Sequence, residues 1–204
     1  FSRESRSRDV KAAIDKLIKA RVCLPVHASH CSGVPLHADI NEKAYKLLFL
    51  DVGLMNHVCG VDWLILQQMD QLRLVNEGAI AEQVVGQHLA YAALGTEKPR
   101  PVYWLREGRA TNAEVDFVMS RGPHIFPIEV KAGKSGTLRS LHQFVLEKKA
   151  RVALRLDTNK PSHQTVSHQV RTRRGQKTAH FHLYSIPLYA AGETTRLLDD
   201  IRQI

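Results

Sequence analysis

Apolar and polar positions in the first part of the chain follow a helical period and then a β-like one. Apolar residues recur at helical spacing between Ser7 and Val22, with Ser7 or Asp9 able to cap the first turn. Two β-like runs follow, VCLPVHASHCSGVPLHADI and AYKLLFLDVGL. A helix followed by a hairpin is typical of the end of a winged-helix module. The pattern therefore predicts a small winged-helix-like subdomain over residues 1–58.

The rest of the chain, residues 59–204, has the pattern of an α/β domain. Two helices are expected first, over VDWLILQQMDQLRL and NEGAIAEQVVGQHLAYAALG. Three short strands (VYWLR, AEVDFVMS, HIFPIEVK), a helix (TLRSLHQFVLEKK), two strands (RVALRLD, HFHLYSIPLY) and a closing helix (GETTRLLDDIRQ) should follow. This order favours a mixed central sheet flanked by helices.

Composition narrows the class of protein. The chain has 204 residues, 44% of them apolar, which is enough for a folded core. Its longest apolar run, LLFLDVGLM, is interrupted by Asp51 and falls below the ~18 residues of a membrane span, so no membrane is expected. The odd number of cysteines, Cys23, Cys31 and Cys59, favours reduced thiols in a cytoplasm.

Positive charge points to a partner that carries phosphates. The formal net charge is +9, which suits DNA or another polyanion. The cluster RTRRGQK contains a turn-forming Gly175 and no apolar residue, which predicts an exposed hairpin tip. A solvated tip without a ligand is the alternative to a phosphate contact. The candidate nucleic-acid contacts are Arg171, Arg173, Arg174 and Lys177.

The stretch FPIEVKAGKSG, residues 126–136, combines the end of a phosphate-binding loop with an acid-x-lysine motif. Ile128 occupies the position where a nucleotide-binding loop needs its first glycine, so that loop is not expected to form. As a strand, the stretch places Glu129 and Lys131 on one side, with Ile128 and Val130 directed into the core. The motif is therefore a candidate acidic site.

Further carboxylates are expected near this motif, on the preceding strand and on the preceding helix. The same alternation places Glu114 and Asp116 on one face of their strand, with Val115, Phe117 and Met119 on the other. The SRGPH turn can fold the two strands into a hairpin that sets Asp116 beside Glu129. On the preceding helix, Glu82 borders the apolar stripe formed by Val85 and Leu89.

Converging carboxylates repel one another unless a cation lies between them. Oxygen ligands favour a hard ion such as Mg²⁺ or Mn²⁺, which Asp116 and Glu129 would hold, with Glu82 as a further partner. Lys131 would then reach the ion's water or the phosphate, as a charge stabiliser or as a proton acceptor. A surface hairpin with solvated charges is the alternative.

The first predicted hairpin also contains residue types that bind zinc. Cys23, His27, His30 and Cys31 offer zinc ligands, but all four lie in one short stretch, whereas structural zinc sites favour ligand pairs on two separated arms. Ordinary residues of a hairpin are the preferred interpretation.

The order of these motifs resembles a known family. Glu82 on a helix, Asp116 in AEVDF, and Glu129 with Lys131 in IEVK resemble the PD-(D/E)xK nuclease superfamily, with Val115 in place of its proline. More narrowly, six motifs resemble in order the C-terminal region of unknown function of bacterial and archaeal AAA-type ATPases: KLLFLDVGL, EGAIAEQVV, VYWLR, AEVDFV, PIEVKAG and SIPLY.

The resemblance implies a restriction-endonuclease-like fold and an ATPase domain upstream of this chain, whose first residue is Phe1 rather than Met. It also implies that Asp116 and Glu129 hold the metal, that Glu82 supports a metal or its water, and that Lys131 acts at the scissile phosphate. Two functions are expected. One is a Mg²⁺-dependent DNA phosphodiesterase, and the other is a non-catalytic DNA- or protein-binding module that regulates the ATPase.

Overall fold

In the part of the chain that the structure describes, eight strands form a mixed sheet with helices packed on both faces. The computed structural model describes residues 7–61, 67, 77–92, 101–107, 112–133, 137–172 and 175–201. The helices are α1 (Ser7–Lys19), α2 (Val52–Val58), α3 (Glu77–Ala92), α4 (Arg139–Lys148) and α5 (Thr194–Ile201), with 3₁₀ turns at Leu36–Asp39 and Leu188–Glu193. The strands are β1 (Cys23–Ser29), β2 (Ile40–Phe49), β3 (Val102–Arg106), β4 (Ala113–Arg121), β5 (His124–Val130), β6 (Val152–Asp157), β7 (Ser162–Thr172) and β8 (Gly175–Pro187).

The strand order across the sheet is β2-β1-β3-β4-β5-β6-β8-β7. The pairs β1–β3, β5–β6 and β6–β8 are parallel, and the other neighbours are antiparallel. This arrangement confirms the expected mixed central sheet flanked by helices.

Alternating side chains divide the core into two apolar layers. One layer lies under α3 and α5 and contains Phe117, Ile128 and Leu154. The other lies under α4 and contains Val115 and Phe181. Burial of both sheet faces explains why the central strands are almost continuously apolar in sequence.

The N-terminal segment contributes to the same sheet. β1 pairs antiparallel with β2 and parallel with β3, so the two parts predicted to meet at residue 58 share one sheet. The run AYKLLFLDVGL was expected to be one strand, but β2 ends at Phe49. Asp51 then caps α2 by accepting the Leu54 N–H, which turns the end of this run into helix. The helix predicted over VDWLILQQMDQLRL lies, apart from Val61 and Gln67, outside the described residues.

The edge strand β7 was not expected. Val166 and Val170 are its only apolar residues, and most of its side chains are exposed. It nevertheless pairs with β8 from Ser162 opposite Ser185 to Thr172 opposite Gly175. An edge strand has a neighbour on one side only, so little of its surface needs to be apolar. No helix in the described part of the chain is long and apolar enough to cross a membrane.

Candidate carboxylate site

Helix α3 is held against the end of β2 by side chains that bond to the backbone. Gln83 accepts a hydrogen bond from Phe49 N and donates one to Phe49 O, each at 2.9 Å. One turn later, Gln87 accepts from Val52 N at 2.9 Å. A Cβ at Gly86 would lie 2.5 Å from Leu48 Cδ1, so only glycine permits this close approach. The docked helix carries Glu82 to the sheet.

The predicted hairpin of β4 and β5 brings Asp116 next to Glu129. The strands turn at Gly122, whose φ is +55°, and their pairing runs from Arg121 opposite His124 to Phe117 opposite Ile128. Asp116 and Glu129 are the next residues along the two strands. There the side chain of Asp116 accepts the Val130 N–H at 2.7 Å, a bond that a backbone carbonyl would accept in a regular ladder.

The expectation that Val115 and Phe117 share a face is wrong. Val115 packs in the layer under α4, whereas Phe117 packs in the layer under α3. The register of β4 against β3 shifts between the pairs Val102–Val118 and Trp104–Val115, which leaves two residues of β4 for one of β3. Such a bulge breaks strict alternation and re-aims the side chains beside it, here Asp116.

Glu129 is the most deeply buried acid of the site. The residue is only 6% exposed, and its Oε1 accepts a hydrogen bond from Lys131 Nζ at 2.6 Å. Its Oε2 is also buried and has no hydrogen-bond partner in the described residues. Ile128 and Val130, on either side of it, pack in the layer under α3, as expected. A buried carboxylate oxygen without a donor is costly, and a cation would offset that cost.

A second lysine, which was not predicted from the sequence, completes the site. Lys46 Nζ on β2 lies 2.7 Å from Glu82 Oε1 and 2.5 Å from Glu114 Oε1. The same ammonium lies 4.8 Å from the centre of the Tyr103 ring. The signal in the sequence was a single charge inside the apolar run AYKLLFL. We refer to Glu82, Glu114, Asp116 and Glu129, with Lys46 and Lys131, as the carboxylate cluster.

Burial and mutual repulsion control the protonation of the cluster. Burial, followed by the charge of Glu129 and in part that of Glu82, raises the pKa of Asp116 to about 7. Burial also raises the pKa of Glu129, although Lys131 opposes the rise. Burial by itself would lower the pKa of Lys46, but Glu82 and Glu114 raise it above its ordinary value. Asp116 and Glu129 therefore have too little positive charge near them to offset their burial. Lys46 remains protonated.

The charge balance leaves room for a divalent cation. Four carboxylates and two ammonium groups carry a net charge of minus two when all are ionised. Asp116 and Glu129 fit a hard cation through their oxygens, whereas Lys46 already neutralises Glu82. In the described residues no group of three or more His, Cys, Asp or Glu side chains is arranged to hold a metal ion. The stretch from Cys23 to Cys31 therefore also lacks such a group. Both of its cysteines are buried and form no disulfide.

The predicted nucleic-acid contacts lie on the hairpin of β7 and β8. Arg171 pairs with Gln176, and Lys177 pairs with Val170, so both basic residues flank the tip and both are exposed. Arg173 and Arg174 lie outside the described residues. The described residues of this cluster, at positions 171–172 and 175–177, therefore lie at the end of the β7–β8 hairpin, as expected.

Comparison with known proteins places the site within a family. Residues 77–189 match the domain of unknown function DUF4143, a segment that includes Glu82, Glu114, Asp116, Glu129 and Lys131 but not Lys46. No significant match was found among curated proteins or among solved structures. The match covers more than half of the 204 residues. The chain therefore belongs to the DUF4143 family.

Proposed function

We propose that this chain is a metal-dependent nuclease-like domain that acts on DNA. The proposal rests on one observation. Asp116 and Glu129 meet in a buried cluster that, when every group is ionised, has two more negative than positive charges, and one oxygen of Glu129 has no donor in the described residues. A Mg²⁺ or Mn²⁺ ion has the charge and the ligand preference that this cluster lacks. The order of Glu82, Asp116, Glu129 and Lys131, which resembles PD-(D/E)xK nucleases, supports the same assignment.

The roles of the side chains follow from their positions. Asp116 and Glu129 would hold the ion, and the Val130 N–H would orient Asp116 by its hydrogen bond. When bound, the ion would lower the pKa of a water molecule and neutralise charge on the phosphate. Lys131, tied to Glu129 in this state, would present its ammonium to the phosphate or to the attacking water. Glu82 would support the ion or its water once it separates from Lys46.

DNA is the proposed substrate because the charge of the chain is +9 and the hairpin of β7 and β8 ends in basic residues. Arg171, Arg173, Arg174 and Lys177 would contact phosphates. If they do, Arg171→Ala and Lys177→Ala should each weaken binding to any DNA sequence and reduce the salt dependence of the affinity by about one unit of slope. Lys43→Ala, an exposed lysine on β2, is the matched control and should leave the slope unchanged.

The ordered motifs also support a place for this domain at the C-terminal end of an AAA-type ATPase. In that setting ATP hydrolysis would control access of DNA to the carboxylate cluster. The free state of Cys23, Cys31 and Cys59 is compatible with a cytoplasmic location, which we include in the proposal.

Cleavage and metal binding provide the test. Wild-type protein and the variants Asp116→Asn, Lys131→Met and Lys43→Met would be incubated with plasmid and branched DNA in Mg²⁺ or Mn²⁺, and Mn²⁺ affinity would be measured by calorimetry. We expect Asp116→Asn to lose both metal binding and cleavage. Lys131→Met should lose cleavage but still bind Mn²⁺, and Lys43→Met should behave as wild type. Cleavage that persists in Asp116→Asn would contradict the proposal.

A non-catalytic module that regulates the ATPase is the second candidate. It is favoured by the position of Lys46, whose ammonium already neutralises Glu82 and Glu114. Under this alternative the nuclease-like sheet is a scaffold for binding DNA or a protein. Tight DNA binding without Mn²⁺ affinity or cleavage would favour this alternative over the nuclease.

A further inference from the structure

The hairpin of β7 and β8 carries two histidines whose ring nitrogens face each other. Thr165 lies opposite His182 and His163 lies opposite Tyr184, so the two histidines are diagonal neighbours on one face of the sheet. His163 Nε2 and His182 Nδ1 are 3.1 Å apart. Thr165 Oγ1 lies 3.5 Å from the same nitrogen of His182. The Nδ1 atom of His182 therefore has a second imidazole nitrogen and a hydroxyl within 3.5 Å.

The ring of His163 is held in place by its neighbours. It stacks on the Tyr184 ring with centroids 4.3 Å apart and an angle of 16° between the planes. Its contact with the His182 ring is also stacked, with centroids 5.2 Å apart. Tyr184 in turn packs against the apolar layer under α3 and α5. The nitrogens are therefore positioned by the sheet itself.

The separation of the nitrogens is close to that of two ligands on one metal ion. Zinc binds histidine nitrogen at about 2.0–2.1 Å, so two ligands of a tetrahedral ion lie about 3.3 Å apart. The 3.1 Å between His163 Nε2 and His182 Nδ1 is close to this separation, and a rotation of the two rings would aim both lone pairs at one ion. Imidazole favours zinc, nickel or copper, in contrast to the carboxylates, which favour magnesium or manganese.

We propose that His163 Nε2 and His182 Nδ1 bind a zinc-class divalent ion. In the absence of metal, one of the two nitrogens carries the hydrogen that joins them. On binding, that hydrogen moves to the other nitrogen of its own ring, both facing lone pairs bind the ion, and water completes the tetrahedron. No charge is lost or gained by the protein in this step.

The ion would act as a clamp between the edge strand and its neighbour. Among the described strands, β7 has a partner only in β8, and most of its side chains are exposed. Because His163 lies on β7 and His182 on β8, metal binding would join the two strands through side chains. A ligand that binds only the folded state stabilises it in proportion to the logarithm of its concentration over its Kd. The clamp would also stiffen the hairpin that carries Arg171 and Lys177.

Zinc titration tests the site. All variants would be made in an Asp116→Asn and Glu129→Gln background, so that zinc cannot bind at those carboxylates. Binding of Zn²⁺ would be measured by calorimetry, and the melting temperature with and without Zn²⁺. We expect one ion to bind, with an affinity reduced at least tenfold in His163→Asn and in His182→Asn, and with the zinc-dependent rise in melting temperature lost in both.

His180→Asn is the matched control. His180 is exposed on the same hairpin and pairs with Ser167, one step further along the face of His182. This variant should bind zinc as the background protein does. Equal zinc affinity in all three variants would overturn the proposal, as would a loss in His180→Asn equal to that in His182→Asn. Circular dichroism without zinc would show that each variant is folded.

Discussion

Burial shifts the pKa of a side chain in the carboxylate cluster and of another beside the hairpin of β7 and β8, but in opposite directions. In the cluster, burial raises the pKa of Asp116 to about 7. On the hairpin side, His142 of α4 stacks on His168 of β7, and burial followed by the charge of His168 lowers the pKa of His142 to about 4. Burial disfavours the charged form in both cases, so the acid retains its proton and the base loses one.

This comparison also separates two kinds of metal chemistry. The cluster offers oxygens and an excess of negative charge. The hairpin from Ser162 to Pro187 contains no acidic residue, so the metal ligands that it offers are imidazole nitrogens and hydroxyls. The two regions should therefore select different cations and respond to pH in opposite directions.

The largest effect is expected from Asp116→Asn. The folded-state pKa of Asp116 lies above its ordinary 3.8, so wild-type protein in EDTA should lose stability as pH rises from about 4 to about 7. Asparagine can still accept the Val130 N–H but has no charge. At pH 8 we expect the free energy of unfolding of the variant to be about 3 kcal/mol higher than that of wild type. At pH 4 we expect the two proteins to be equally stable.

Urea denaturation at pH 4, 6 and 8 would measure the free energies of unfolding of Asp116→Asn and of wild type. Asp200→Asn, an exposed acid on α5, is the control and should follow the wild-type profile. Equal stability of Asp116→Asn and wild type at pH 8 would show that Asp116 is not destabilised by its surroundings.

A smaller loss is expected from Lys46→Met. The substitution leaves Glu82 and Glu114 without their ammonium, and we expect a loss of about 1–2 kcal/mol, because all three side chains are partly exposed. Because Lys46 also lowers the pKa of Asp116, the pH range over which stability falls should still begin near 4 but extend further upward. Mn²⁺ affinity should rise, since Glu82 becomes free to bind.

Denaturation and calorimetry of this variant would be compared with those of Arg196→Met. Arg196 pairs with Glu193 on the surface, and its replacement should have no measurable effect. Unchanged Mn²⁺ affinity in Lys46→Met would indicate that Glu82 has no part in holding the ion.

The smallest effect is expected from His142→Phe. The folded-state pKa of His142 lies below its ordinary 6.5, so its contribution to stability should be lost as pH falls from 6.5 towards 4. Phenylalanine keeps a ring beside His168 and Phe181 and cannot be protonated. At pH 5 we expect a gain of about 1 kcal/mol over wild type, and no gain at pH 8.

Thermal melts at the two pH values would measure this gain. His124→Phe, at the exposed turn between β4 and β5, is the control. A gain that is the same at both pH values would indicate better packing rather than the loss of a titrating group.

Local periodicity determined much of what was predicted. The strands β3 and β5 and the helices α3 and α4 follow patterns that a few neighbouring residues define, and the turn at Gly122 joins two of these strands. Asp116 and Glu129 could be placed side by side because a tight hairpin sets the register of its own strands. The α/β class and three of the four acids of the cluster, Glu82, Asp116 and Glu129, were therefore accessible from the sequence.

Contacts between distant segments decided the rest. Lys46 meets Glu82 and Glu114 only because β2 lies at the edge beside α3, which no local pattern encodes. The bulge opposite β3 redirects Asp116, and β7 is a strand only because β8 offers it a partner. Side-chain alternation is a property of one strand, whereas a bulge, an edge and a buried ion pair each depend on which second strand or helix packs against it.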